Sequence, residues 1–210
     1  MKLIVIGAGG HGRVCAEIAE QSGRFSSVVY SDSASLKGST VLGMPVAYSD
    51  DEVLVLDGKA VRLFLGVGQT RGGDRRAELF KRFSDEGFRF AVLQSASAHV
   101  AASAELSDAT LVGHMAVVNT GARVGRNCII NSHALVEHDA VIADHVHVST
   151  GAIVNGECSV GARCMIGSHA TMNHGISICD DVVIGAGAVV VRSIELRGTY
   201  VGVPARRLDT

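Results

Sequence analysis

Between Val100 and Val190 every sixth residue is aliphatic or methionine, sixteen positions out of sixteen. A strict period of six describes short strands joined by tight turns, three of which close one triangular coil of eighteen residues. Residues eighteen apart then stack in columns, and about five coils fit between residues 96 and 191. Four positions after most of the aliphatic residues stands a small or thin side chain, including Cys128, Cys158 and Cys164, which read as packing residues. Glycine follows the aliphatic residue at Gly113, Gly125, Gly161, Gly167 and Gly185, where a turn with positive φ is expected. Composition agrees with such a core. The chain is 47% hydrophobic but only 4% aromatic, so Val, Ile, Leu and Ala must do the packing.

Residues 1 to about 90 are organised differently. Strand-like runs at Leu3–Ile6, Ser27–Tyr30 and Val61–Val67 alternate with helical spacing at Arg13–Gln21 and Asp74–Glu86, which predicts a small α/β unit with a parallel sheet. Gly7, Gly9 and Gly12 form G-x-G-x-x-G between the first strand and helix, and Asp32 follows twenty residues after Gly12. This pattern reads either as a dinucleotide loop or as a turn that only lets helix and strand pack closely. A formal charge of −2 argues against a nucleic-acid binder. No apolar run approaches the ~18 residues of a membrane span and no secretory leader opens the chain, so a cytoplasmic location is expected. Five cysteines without a CxxC pair suggest neither a disulfide framework nor a zinc ribbon.

The hexapeptide array, the opening GAGGHGRV, the segment VEHDAVIADHVHVSTGA and the closing VGVPARR together resemble the bacterial sugar acetyltransferases typified by PglD and NeuD. The resemblance covers essentially the whole chain. It implies a Rossmann-like α/β domain over residues 1–92 that holds a nucleotide sugar, and a left-handed parallel β-helix over residues 93–210 that binds acetyl-CoA. It further implies a homotrimer with active sites at subunit interfaces.

Nine histidines are present, and all but His11 lie in the repeat. His138 stands out because Asp139 follows it, a carboxylate able to hold one ring nitrogen and raise the basicity of the other. Column arithmetic places Gly156 one coil away and His174 two coils away, so that a gap beside the imidazole is expected, wide enough for a thioester arm. Matched to the family motif, His138 is the catalytic base and Asp139 its acidic partner, where PglD-like proteins often carry Glu. The same match puts His147 near the acetyl group or pantetheine, and Gly156, Ser168 and Ala186 in backbone contact with coenzyme A. Asn131 then lines the acceptor site, although a ladder-forming asparagine and a strand-edge histidine are equally compatible readings. Arg192, Arg206 and Arg207 are phosphate candidates or a solvated face. In the N-terminal domain the backbone of Gly9, Gly10 and His11 would face phosphates or sugar, Asp32 the base or ribose, and Val67, between Gly66 and Gly68, would close the pocket.

The reaction implied is N-acetylation of the 4-amino group of a UDP- or GDP-linked 4-amino-4,6-dideoxy sugar, by direct transfer. A backbone N–H or His147 would stabilise the oxyanion. Alternatives are sialic acid O-acetylation of the NeuD type, and a non-catalytic scaffold or nicotinamide-binding regulator. A cysteine nucleophile would have to be Cys15 or Cys179. The spacing of His133 and His138 resembles that of zinc ligands in hexapeptide carbonic anhydrases, but the third position is Ser97, so no metal is expected.

Overall fold

The computed structural model describes residues 1–70 and 73–208. Its first part runs β1 (Lys2–Ile6), α1 (Gly10–Gln21), β2 (Ser27–Asp32), β3 (Thr40–Val41), β4 (Met44–Ser49), α2 (Asp50–Leu54), β5 (Val61–Leu65) and α3 (Asp74–Asp85). The sheet order is β3-β4-β2-β1-β5. Strands β4, β2, β1 and β5 are parallel, while β3 turns back antiparallel on β4. The β3–β4 hairpin and α2 have no counterpart in the sequence-based expectation. Pro45 weakens the strand signal of β4, and α2 is only five residues long. A capping box starts α2, with the Ser49 hydroxyl accepting from Glu52 N and the Glu52 carboxylate accepting from Ser49 N.

Because β1 is buried on both faces, its alternate residues serve two cores. Ile4 and Ile6 pack with Phe83 of α3, whereas Leu3 and Val5 pack with Cys15, Ile18 and Ala19 of α1. The second core continues into Leu93, Leu111 and Ile129 of the following domain. Helix α1 is therefore enclosed between the sheet and one face of the solenoid.

From Leu93–Gln94 to Val189–Val190, strands of two or three residues recur, and up to Thr171–Met172 each pairs in parallel with the strand eighteen residues on, as Val117↔Leu135 and Leu135↔Ile153 illustrate. The result is a parallel β-helix with three faces. A seam face of eight strands includes His147–Val148 and ends in the C-terminal pair Gly198–Val201 and Arg206–Arg207. The second face has six strands, including Leu135–Val136, and the third has five, including Val141–Ile142. The period-six aliphatic residues from Val112 to Val190 are buried in the interior, together with Cys128, Cys158 and Cys164, and these three cysteines are 0% exposed.

One turn expectation is corrected. Gly113, Gly125, Gly161, Gly167 and Gly185 do not have positive φ. That conformation belongs to the residue three places after the aliphatic one, in fourteen successive turns from Ala109 to Gly187, among them His133 (59°), Asp139 (59°) and His145 (63°). The glycines are required by the neighbouring coil instead. A Cβ on Gly161 would lie 2.5 Å from Asp180 N and one on Gly167 2.5 Å from Ile184 O. The missing side chain admits the adjacent turn, as at other close backbone approaches.

Candidate active site

His138 and Asp139 occupy the turn between the second and third faces. His138 Nδ1 lies 3.0 Å from Asp139 Oδ2, so the ring donates its Nδ1 proton to the carboxylate and leaves Nε2 open. The two side chains are 48% and 64% exposed. The short aspartate spans this distance from its left-handed backbone, a conformation that Asp tolerates better than most residues. Glu137, which sequence reasoning did not single out, accepts from the His138 backbone N–H and from Asn119 Nδ2, both at 3.0 Å, and so braces the turn. The Asp139 hydrogen bond is the main reason that the His138 pKa lies above the ordinary histidine value, aided by the charges of Asp139, Glu137 and Glu157.

The expected column is present, with one change. A Cβ on Gly156 would lie 2.6 Å from His138 Nε2, so the ring itself occupies the space that the glycine vacates, and no gap for a thioester arm remains directly beneath it. Beyond it lies the His174 ring, tilted by 45° at a centroid separation of 6.0 Å, and its Nε2 faces Glu157 at 3.6 Å.

Asn131, Ser168 and Ala186 fall on another turn, the one between the seam face and the second face. The N–H groups of Gly156, Ser168 and Ala186 find no acceptor among the described residues, which leaves them free for a ligand. Arg192, Arg206 and Arg207 line a single cavity of about 300 Å³ with Tyr200 and Leu196 at the C-terminal end of the solenoid.

In the N-terminal domain Gly9, Gly10, His11, Asp32 and Val67 surround one cavity of about 310 Å³, with Gly66, Gly68, Asp50 and Arg75. Helix α1 opens toward it from Gly9 with no side-chain cap and no acidic residue in its first turn. Its first N–H groups and the helix dipole thus present positive potential to the cavity. Asp32 accepts from Ala8 N at 2.7 Å and Ser33 N at 2.6 Å, which ties the end of β2 to the glycine loop.

His147 lies on a strand of the seam face, away from the His138 turn and 6% exposed beneath the N-terminal domain. Its Nδ1 donates to Gln69 O at 2.8 Å and its Nε2 accepts from Asn131 Nδ2 at 3.1 Å. The ring has no N–H left for an oxyanion, so that part of the expectation is corrected. Burial is the main cause that lowers its pKa to about 4 and that of nearby His11 to about 3. Both folded values lie below the unfolded 6.5, so in the window beneath it the unfolded chain binds more protons. Their contribution to stability is present above pH 6.5 and is lost as pH falls toward those values. Urea unfolding midpoints should decrease between about pH 7 and about pH 5, and less steeply in His147→Asn.

Cys15 is 0% exposed and its thiol is pushed up to about 12 by burial, so it is no nucleophile. Cys179 is half-buried. His133 and His138 sit on different turns. Among the described residues no helix is long and apolar enough to cross a membrane.

The PglD N-terminal domain model matches residues 2–83, and a model described as the hexapeptide repeat of succinyl-transferase matches residues 158–192. The acetyltransferase domain of PglB from Neisseria gonorrhoeae is 32% identical, with 99% of each chain covered and a TM-score of 0.92. The chain belongs to the PglD-like sugar acetyltransferases. The same PglB domain in complex with acetyl coenzyme A gives 32% identity over 99% and 98% of the two chains, with a TM-score of 0.93. A histidine-to-asparagine variant of perosamine N-acetyltransferase from Caulobacter crescentus, in complex with CoA and GDP-perosamine, is 29% identical over 100% and 98%, with a TM-score of 0.90.

Proposed function

We propose that this enzyme transfers the acetyl group of acetyl-CoA to the 4-amino group of a nucleotide-linked 4-amino-4,6-dideoxy sugar, with residues 1–92 holding the nucleotide sugar and residues 93–210 the coenzyme. The observation that carries the reading is the exposed His138, its Nδ1 proton held by Asp139 and its Nε2 free to accept. Solved relatives support the substrate class, one binding acetyl coenzyme A and another CoA with GDP-perosamine.

In this mechanism the amine nitrogen attacks the thioester carbonyl while His138 Nε2 takes its proton, and the C–S bond then breaks to release the CoA thiolate. Asp139 steadies the imidazolium. The oxyanion is received by a backbone N–H, for which Gly156 N beside His138 is available. The N-terminal cavity belongs to the domain docked on the seam face, whereas His138 lies on the turn between the other two faces. In a triangular prism that edge is opposite the seam face, so one chain does not bring its own sugar cavity to its own His138. A second copy in a homotrimer supplies the missing half, with the site at the subunit interface.

Purified enzyme with acetyl-CoA should release thiol rapidly with either a UDP-4-amino-4,6-dideoxy sugar or GDP-perosamine. Release with free sialic acid alone would move the enzyme to O-acetylation, and silence with all three would sink the substrate reading. Asp139→Asn tests the base. His138 acts only when deprotonated, so activity falls as pH drops through its pKa. Loss of the carboxylate should move the acid limb of kcat/KM to lower pH and reduce the plateau about ten- to a hundredfold. An unmoved limb would separate Asp139 from the titrating base.

A further inference from the structure

Arg76, in the first turn of α3, is 1% exposed and lies between the two domains. Its Nη1 donates to the carbonyl oxygens of Leu65, at 2.8 Å, and Val67, and its Nη2 donates to Asn127 Oδ1 of the solenoid at 2.7 Å. Asn127 Nδ2 donates in return to Arg76 O at 3.1 Å. All these acceptors are neutral. None of the ion pairs among the described residues includes Arg76. Burial pulls its pKa down to about 10, which still leaves it charged at neutral pH. A buried cation without a carboxylate is unfavourable, and an apolar side chain of similar volume would join the domains better. The charge therefore needs a reason beyond packing.

The backbone that Arg76 grips forms a wall of the N-terminal cavity through Gly66, Val67 and Gly68. In a trans peptide the C=O and N–H point in opposite directions. Holding Val67 O toward the guanidinium turns the Gly68 N–H away from it, and that N–H has no acceptor among the described residues. Hydrogen bonding at the carbonyl also polarises the peptide and strengthens the N–H as a donor. Across the cavity lie the uncapped start of α1 and the side chain of Arg75.

We propose that Arg76 is the charge partner of the substrate's diphosphate, acting from behind the loop by aiming the Gly68 N–H at the phosphates and by completing its own neutralisation when they bind. The inference rests on the nucleotide-linked substrate proposed above. Arg76 is thus a positioning residue that touches no reacting atom. The solenoid takes part in nucleotide recognition through Asn127, although the cavity lies in the other domain.

Titration calorimetry of the full-length enzyme with GDP, UDP, guanosine and uridine tests this. Arg76→Gln should weaken the diphosphate that the wild type binds by about tenfold and leave the matching nucleoside within about twofold. Asn127→Asp places a carboxylate oxygen against the guanidinium at the cost of the Nδ2 hydrogen bonds to Arg76 O and His145 Nδ1, and, provided thermal melts show it folded, should weaken the same diphosphate and spare the nucleoside. This second variant decides the matter if Arg76→Gln does not fold. Equal diphosphate affinity in the folded variants, or equal loss of nucleoside and diphosphate, would overturn the role of Arg76 alone. A wild-type enzyme that binds neither diphosphate would overturn the substrate reading and this inference with it.

Discussion

Replacement of His138 by alanine should lower kcat by about 10²- to 10⁴-fold while the thermal midpoint stays within about 1 °C of the wild type. The two parts of this expectation have separate physical origins. General-base catalysis contributes on that scale because an amine attacking a thioester must lose a proton at about the moment that the C–N bond forms. The unchanged midpoint follows from exposure, since the side chain is 48% exposed and its one hydrogen bond goes to a carboxylate that is itself 64% exposed. Surface pairs of this kind contribute little to stability. Steady-state thiol release with the nucleotide sugar, beside a thermal melt of the same sample, checks both. An alanine variant of normal activity would remove His138 from the mechanism, and a melt lowered in proportion to activity would make it a structural residue.

The largest effect on stability is expected at Gly12→Ala, at about 3 kcal/mol or more. A Cβ at this position would lie 1.9 Å from Gly7 O and 2.9 Å from Gly7 C, and neither atom can retreat. Gly7 is held by its own N–H to Ser31 O at 2.6 Å, and its φ of 100° is open only to glycine. Gly66 closes the third side, where a Cβ would meet Gly12 Cα at 2.7 Å. Three glycines thus bring α1, the loop after β1 and the loop after β5 into backbone contact. An added methyl group must push α1 off the sheet and out of the core it shares with Leu111 and Ile129. Gly10→Ala is the control within the same helix, because the nearest atom to its Cβ is Arg13 Nη2 at 4.0 Å. That variant should match or slightly exceed the wild type in urea unfolding, as helix propensity favours alanine. Equal midpoints for the two variants would refute the interlock.

Gly12 bears on the two readings that the glycine motif left open. It packs helix on strand, as the plainer reading held, and the same loop opens the start of α1 to a cavity lined by Gly9, Gly10, His11 and Asp32.

Much of the site was legible because the solenoid converts sequence into columns. Once a coil of eighteen residues is recognised, the position of Gly156 against His138 follows by addition, and the Asp139 partnership by adjacency. Arg76, Gln69 and Asn127 gave no such signal. Arg76 and Asn127 are 51 residues apart, belong to different periodicities and meet only because two domains dock. The one local hint was the place of Asn127 in the positive-φ column, which explains an asparagine there without any partner. His147 misled for the related reason that its position on the coil is readable and its cover is not.

The sequence by itself determined the stacking of the coils, the parallel α/β sheet, and the residues that share each turn, because parallel strands two residues long leave no freedom of register once the inward positions are set. Only the tertiary structure decided which face of the solenoid the N-terminal domain covers. That choice buries His147, gives Arg76 its neutral partners, and leaves His138 on the opposite edge, since it depends on two apolar surfaces meeting across the whole chain and on no period within it.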